Sequence, residues 1–177
     1  TTNGGQSWLP LTGVNTDNYN EVFFTDSNHG TILSDFKIYR STNGGASWTN
    51  EFAMGVTYMG NAAVIDPLHF LVATNVEGAA IFETTNGGDD WEVKLFAGAG
   101  GFLDFDRLLD GSLIAVTDEG DVYRSIDDGT TWTNSTYAAS PPPRGSIGAI
   151  GIGPGGRGAA GTTGVPPTYW FRTEDGG

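Results

Sequence analysis

The sequence predicts an all-β fold built from about four similar units, each an antiparallel sheet of four strands. Three observations favour this fold class. A short Gly-rich motif ending in Trp recurs along the 177 residues, and the chain carries 28 Gly and 8 Pro, which are typical of many tight turns. Short apolar runs alternate with turn residues, and no stretch keeps the 3.6-residue apolar period of a helix. With 38% hydrophobic residues the chain can bury a core.

The motif is the strongest organising signal. Four full copies, called boxes 1 to 4, occupy residues 1–8, 41–48, 84–91 and 125–132, and an incomplete fifth copy occupies 173–177. Their starts lie 40, 43, 41 and 48 residues apart, the length of one four-stranded propeller blade. The sequence therefore predicts a single β-propeller segment over 1–177. Because both ends fall within a box, we expect an open arc of a larger propeller, with a self-closed four-blade ring as the alternative.

Each box resembles the Asp-box pattern Ser-x-Asp-x-Gly-x-Thr-Trp of the BNR-repeat propellers. That superfamily includes sialidases, xyloglucan-degrading glycosidases, sortilin-type receptors and photosystem II assembly-factor-like propellers. In such a turn an Asn or Asp side chain bonds backbone N–H groups, Gly supplies positive φ, and Trp anchors the hairpin between the third and fourth strands. The residues given this structural role are Asn3, Gly5, Trp8, Ser41, Asn43, Gly45, Trp48, Asn86, Gly88, Trp91, Ser125, Asp127, Gly129 and Trp132.

The strands between boxes follow from the same register. In the second repeat we expect strands near 48–52, 60–65, 70–74 and 79–84. In the third repeat we expect them near 91–95, 102–105, 112–117 and 121–125. The fourth repeat departs from the pattern, because 140–145 is a Pro-rich link and 148–164 is crowded with small residues.

Composition limits the partners. The formal net charge of −13 disfavours phosphate backbones and anionic membrane surfaces, so we expect no nucleic-acid partner. No apolar stretch is long enough for a membrane-spanning helix, so no membrane insertion is expected. The absence of Cys excludes disulfides and thiolate metal sites. No cofactor is indicated.

Three further sets of residues recur at equivalent positions of the repeats and are therefore interpreted as structural. His29 and His69 lie 40 residues apart in successive turns between first and second strands, and two histidines do not complete a zinc site, so no metal site is expected. The aspartates expected to cap turns are Asp26, Asp66 and Asp106. The arginines expected to be solvated charges at strand ends are Arg40, Arg124 and Arg172.

The resemblance implies that functional groups lie opposite the boxes, as in the glycosidases that share them. That face is built from the blade-to-blade links and the turns between second and third strands. Asp35, Glu77 and Asp118 could converge toward the axis there, although the turns around Glu77 and Asp118 also read as ordinary hairpins. The candidate ligand-face residues are Tyr19, Asp35, Tyr58, Glu77, Asp118, Glu119, Tyr137 and Arg144.

These features favour a non-catalytic module that presents this face to a protein or glycan partner. It would be part of a larger secreted or cell-envelope protein and would pack against neighbouring blades of the parent chain. No catalytic residue is assigned, because the arginine trio, Tyr-Glu pair and Phe-Arg-Ile-Pro segment that a sialidase resemblance would imply are not identifiable. The enzyme alternative is a fragment of a sialidase- or xyloglucanase-like glycoside hydrolase, and a third reading is a structural spacer.

Overall fold

The computed structural model describes residues 4–11, 14, 18–35, 37–51, 59–74, 78–98, 100–135, 146–152, 158–163 and 170–173. Within these ranges the chain forms fifteen β-strands and no helix, arranged in four antiparallel sheets. The all-β prediction and the partial propeller are confirmed.

Each sheet is one blade, and its strands follow one another in chain order from the inner to the outer edge. Blade 1 contains β1 (Tyr19–Phe24), β2 (Gly30–Ser34), β3 (Ile38–Ser41) and β4 (Thr49–Glu51). Blade 2 contains β5 (Met59–Val64), β6 (Phe70–Thr74), β7 (Ala79–Thr84) and β8 (Glu92–Gly98). Blade 3 contains β9 (Phe102–Arg107), β10 (Leu113–Thr117), β11 (Val122–Ser125) and β12 (Thr133–Ser135). Blade 4 contains, among the described residues, β13 (Ser146–Ile152), β14 (Gly158–Thr163) and β15 (Trp170–Thr173).

The second strand of each of the first three blades is fully buried. All five residues of β2, β6 and β10 are buried. A central strand with both faces covered reads as a continuous apolar run, because neither side chain direction meets water. Their sequences Thr-Ile-Leu, Phe-Leu-Val-Ala and Leu-Ile-Ala-Val follow that rule.

The blades pack face to face through these strands. Between blades 1 and 2 the core joins Leu33 and Ile38 to Phe70 and Val72. The core between blades 2 and 3 is built in the same way around Leu71, Ala73, Ile81, Phe102, Phe105, Leu113 and Ala115. The inner strands lie beside one another in the order β1, β5, β9, β13, so they line the axis of the arc.

A β-bulge recurs at the same place in all four inner strands. The strand register shifts between Tyr19 and Glu21 in blade 1 and between Met59 and Asn61 in blade 2. Equivalent shifts occur near Phe102 in β9 and near Ile147 in β13. A bulge bends its strand and re-aims the next side chain. The residue after the bulge therefore has a shared position in every blade.

No helix in the described ranges is long and apolar enough to cross a membrane. Nor do the described residues contain a group of three or more His, Asp or Glu side chains that could hold a metal ion.

Candidate functional site

Boxes 2, 3 and 4 lie in the turns between the third and fourth strands, and they share one hydrogen-bond pattern. In box 2, Ser41 Oγ accepts the Gly45 backbone N–H at 2.8 Å and donates to Asn43 Oδ1 at 3.0 Å. Asn43 Oδ1 also accepts the Ser47 backbone N–H at 2.9 Å. The equivalent bonds recur in boxes 3 and 4 around Thr84 and Asn86 and around Ser125 and Asp127.

Gly and Trp complete each box. The glycines Gly45, Gly88 and Gly129 have φ values of +84°, +104° and +87°, in the left-handed region that favours Gly. Trp91 Nε1 donates to the Gly88 carbonyl at 2.9 Å, and Trp8 and Trp132 make the same bond in their boxes. Trp48 is the most buried of these indoles at 6% exposure, and among the described residues its Nε1 has no hydrogen-bond partner.

Boxes 2 and 3 also hold the turn between the first and second strands of their own blade, so both turns lie on one side of the arc, here called the box face. Gly44 N donates to the Asn28 carbonyl and Gly87 N to the Leu68 carbonyl, both at 2.8 Å. Asp26 Oδ1 accepts the backbone N–H of His29 at 2.8 Å. This bond, followed by the Asn28 N–H and the His29 ring, lowers the pKa of Asp26 to about 2.

The expectation that Asp106 caps the corresponding turn of blade 3 is wrong. Asp106 lies inside β9, where it pairs with Ile114. Asp110 takes the capping role instead, accepting the Ser112 backbone N–H at 2.9 Å. The prediction assumed a 40-residue repeat from Asp66, but the inner strand of blade 3 begins 43 residues after the inner strand of blade 2. Asp66 itself accepts the N–H groups of Leu68 and His69, as expected.

Arg40 and Arg124 were expected to be solvated, and this is also wrong. Only 20% of the Arg40 side chain is exposed; it lies against Gly87 of the next blade's box and its Nη1 is 3.1 Å from Asp89 Oδ1. The Arg124 side chain is 23% exposed and its Nη2 is 3.4 Å from Asp110 Oδ2. Arg172 lies in β15, whose side chains are outside the described set.

The histidines contact different partners. His29 Nδ1 lies 2.7 Å from Asp26 Oδ2, and His69 Nε2 lies 2.7 Å from Glu83 Oε1. Glu83 Oε2 also pairs with Lys94 at 2.9 Å. Burial alone would raise the pKa of Glu83, but the hydrogen bonds from Lys94 and His69 lower it below its usual value.

The opposite side, called the loop face, carries the turns between second and third strands together with the links that enter the inner strands. Asp35 lies in the first of these turns and is only 3% exposed. Its Oδ2 accepts from Asn18 Nδ2 at 2.8 Å and its Oδ1 from Asn20 Nδ2 at 3.1 Å. Its backbone N–H donates to the Asn18 carbonyl. Asp35 thus ties the turn to the start of β1.

Asp118 occupies the same position in blade 3 and likewise ties its turn to the chain that enters the inner strand. Its Oδ1 accepts the Gly101 backbone N–H at 3.0 Å, and its own N–H donates to the Gly101 carbonyl at 3.0 Å. Gly100 has a φ of +92°, and a Cβ there would collide with the Asp118 carboxylate. Asp35 and Asp118 therefore each tie the turn after a second strand to the chain that enters the inner strand of the same blade, which restrains the backbone at these two turns.

The other candidates divide into two groups. Tyr19 is 45% exposed at the start of β1, with its ring edge-on to Tyr39 at 6.2 Å, and Glu119 is exposed in the same turn as Asp118. The candidates that lie outside the described residues are Tyr58, Glu77, Tyr137 and Arg144.

A row of polar residues at the axis was missed by the sequence reasoning. Glu21, Asn61 and Asp104 each follow the repeated bulge. Glu21 Oε2 accepts the Ala62 backbone N–H at 2.6 Å, and Asn61 Nδ2 donates to Asp104 Oδ1 at 3.2 Å. Each bond therefore joins one blade to the next. Aligning the inner strands on their apolar residues would have placed these three in register.

Comparison with curated proteins gives partial matches. The chain is 32% identical over 156 residues to a photosystem II assembly lipoprotein Ycf48 from Synechococcus sp. (strain CC9605), covering 62% of this chain and 46% of that protein. The match to the same protein from Prochlorococcus marinus is 24% over 179 residues, covering 75% and 53%. A Paenibacillus sp. xyloglucanase is 30% identical over 118 residues, covering 54% of this chain and 11% of the enzyme. The chain spans about half the length or less of these relatives.

Solved structures with the same fold include members of two families. A structure described as YCF48 bound to D1 peptide superimposes with a TM-score of 0.69 at 18% identity, covering 96% of this chain and 54% of that one. An ancestral GH74 enzyme gives 0.66 at 18% identity, covering 93% and 25%.

The family relationship follows from a match along most of the sequence. The family model described as photosynthesis system II assembly factor YCF48 matches residues 1–156. That span includes all four complete boxes and the three blades in which four strands are described. The chain therefore belongs to the photosynthesis system II assembly factor YCF48 family.

Proposed function

We propose that this chain is a non-catalytic binding module that holds a segment of a partner protein on its loop face. The observation that supports this most directly is the bracing by Asp35 and Asp118. Both carboxylates accept hydrogen bonds from the loops that they position. A face whose backbone is fixed before binding loses little conformational entropy when a partner docks.

Family membership supports a peptide-like partner. The relative described as YCF48 bound to D1 peptide has the same fold over 96% of this chain. We propose that the present chain likewise binds an exposed segment of another protein. The glycan partner considered from the sequence is kept as the second ligand class, since it rests on the likeness to GH74 propellers.

Charge narrows the chemistry of the partner. The chain has a net charge of −13, and acidic side chains occur along the loop face at Glu119 and at the axis at Glu21 and Asp104. On the box face, Arg40 and Arg124 are already paired with carboxylates. We propose that the bound segment carries net positive charge, because complementary potentials favour encounter and select register.

Fluorescence anisotropy tests this with two labelled peptides, one rich in Lys and Ala and a counterpart with Glu in place of every Lys. We expect the Lys peptide to bind and its affinity to fall as salt is added. Glu119→Lys should weaken it by about two- to fivefold, the range of an exposed ion pair. Glu92→Lys is the matched control. This substitution makes the same charge change on outer strand β8, where the Glu92 side chain is 73% exposed.

Equal weakening by the two substitutions would show that the peptide senses net charge alone, and the loop face would be rejected as the site. Binding of the Glu peptide in preference to the Lys peptide would reject the cationic partner. Circular dichroism of each variant confirms that it is folded.

The enzyme alternative has its own test. It is supported by the partial match to a xyloglucanase. If the chain or its parent hydrolyses xyloglucan through the loop face, Glu77→Gln or Asp118→Asn should abolish release of reducing ends. Because Asp118 also holds Gly101, its variant needs a stability measurement beside the activity measurement.

We also propose a location outside the cytoplasm, in the cell envelope or secreted. Three curated relatives are named lipoproteins. Fractionation of cells that express the full-length protein tests this, and recovery in the cytoplasmic fraction would reject it.

A further inference from the structure

Three of the four complete boxes contain an Asn-Gly pair, at Asn3, Asn43 and Asn86. Asparagine is chemically labile in proteins. In deamidation, the backbone nitrogen of the following residue attacks the side-chain carbonyl carbon and ammonia leaves. Water then opens the resulting succinimide to aspartate or isoaspartate. A following Gly permits this reaction most readily, since it has no side chain to hinder the approach and a flexible backbone.

In the folded boxes, hydrogen bonds hold both the attacking backbone nitrogen and the Asn side chain away from the reactive geometry. The attacking nitrogens, Gly44 N and Gly87 N, donate at 2.8 Å to the Asn28 and Leu68 carbonyls of the adjacent turn. The side chain that would be attacked is held as well. Asn86 Oδ1 accepts from Thr84 Oγ1 and Asp90 N, and its Nδ2 donates to Asp90 Oδ2 at 2.9 Å. Succinimide formation therefore requires the box to open first.

The aspartate product fits one of these boxes and not the other. In box 4 an acid already stands at this position: Asp127 Oδ2 accepts from Thr131 Oγ1 at 2.6 Å. Box 2 offers the same kind of partner, because Ser47 Oγ, which now accepts from Asn43 Nδ2 at 2.8 Å, can donate instead. In box 3 the residue at the position of Ser47 is Asp90, whose carboxylate can accept a hydrogen bond but cannot donate one. Converting Asn86 would replace a donor with a second negative group facing Asp90.

We propose that Asn86-Gly87 is a self-modification site at which transient opening of box 3 becomes permanent. Deamidation there forms an aspartate that cannot re-make the box against Asp90. The aspartate formed at Asn43 is accommodated by Ser47, whereas isoaspartate, which adds a methylene group to the backbone, fits neither turn. Of these two boxes, box 3 is therefore the one that neither product can re-form.

Peptide mapping by mass spectrometry tests the protection step. The full chain is incubated in mildly alkaline buffer, with and without denaturing urea, and conversion at Asn43 and Asn86 is followed. We expect conversion in the folded chain to be at least about tenfold slower at both sites, because reaction is limited to the fraction of open molecules. Conversion of Asn86 in the folded chain as fast as in urea would overturn the proposal.

Direct substitutions test the difference between boxes. Asn86→Asp should lower the Tm by about 2–4 °C, the shift that the loss of one hydrogen bond plus repulsion gives in a chain of this size. Asn43→Asp, the matched control, should leave the Tm unchanged. Adding Asp90→Ser to Asn86→Asp should restore it, since it recreates the acid–hydroxyl pair of box 4. Equal Tm shifts for Asn43→Asp and Asn86→Asp, or no rescue by Asp90→Ser, would overturn the assignment.

Discussion

At the residue scale, Glu21 shows how a propeller seals its inner edge. The innermost strand of a sheet has backbone groups without a strand partner on its axial side. Glu21 of blade 1 accepts the Ala62 N–H of blade 2, so a side chain completes what a strand would otherwise supply. This bond has an electrostatic cost. Burial raises the pKa of Glu21, and the Asp106 and Asp104 carboxylates raise it further against the lowering effect of the Ala62 bond.

Glu21→Gln should therefore stabilise the chain near neutral pH. Gln keeps an oxygen to accept the Ala62 N–H and removes the buried charge. Because the folded-state pKa of Glu21 is raised above its ordinary value of 4.5, its contribution to stability is fully present below that ordinary value and is lost as pH rises through the folded value. Urea midpoints across this range should show the variant gaining on the wild type as pH rises, by about 1 kcal/mol or less. A difference that does not vary with pH would contradict the assignment.

The sequence could identify the residue types of the box but not the environment of single acids. Asp35 and Asp118 stand in polar loops that read as exposed, yet Asp35 is 3% exposed because Asn18 and Asn20 fold back over it. That burial depends on the path of a link whose sequence has no periodicity. Glu21 was missed for a similar reason, since a bulge decides which way it points.

At the scale of the strand and turn, prediction was much closer. The expected strands at 70–74 and 79–84 match β6 and β7 to the residue, because Gly, Asn and Asp mark the turns at their ends. The outer strand of blade 2 extends to Gly98 where 95 was expected. Outer strands pack on one neighbour only, so their apolar pattern marks their ends poorly. The wrong turn assignment of Asp106 arose because the repeats differ in length.

The box packs against the neighbouring blade as well as forming a turn. Two glycines, Gly129 and Gly5, distinguish the packing contact from the positive φ that the turn requires. Gly129 and Gly5 occupy the same box position with φ of +87° and +88°. A Cβ at Gly129 would lie 2.6 Å from Leu71 Cδ2 in the neighbouring blade. Among the described residues, a Cβ at Gly5 would meet Trp8 alone, at 3.6 Å. Both substitutions to Ala strain the backbone, but only one crowds the interface between blades.

Gly129→Ala should accordingly destabilise the chain more than Gly5→Ala. The shared backbone strain costs about 1–2 kcal/mol, and overpacking against Leu71 adds about 1–3 kcal/mol. Urea unfolding of the two variants measures the difference directly. Equal losses would show that Leu71 moves aside and that the box does not bear on the neighbouring blade.

At the scale of the whole molecule, the blades are joined by aromatic contacts that cross from one sheet to the next. Phe70 of blade 2 is 1% exposed, with its ring 5.5 Å from Phe23 of blade 1 and 5.5 Å from Trp91 of its own box. It therefore links a neighbouring inner strand to the box of its own blade. Repeat proteins owe their stability to such interfaces as much as to the single repeat.

Phe70→Ala should loosen blades 1 and 2 together, with a cost of about 3–5 kcal/mol for a buried aromatic ring. Native-state hydrogen exchange resolves where that loss is felt. We expect amide protection to fall in β2 as well as β6, because Leu33 and Ile38 pack on the same cluster. Phe96→Ala is the control, since Phe96 is 67% exposed on outer strand β8 and its removal should change stability by less than about 0.5 kcal/mol. Loss of protection confined to β6 would mean that each blade opens alone, and the arc would then behave as a string of independent sheets whose loop face is no more rigid than its least stable blade.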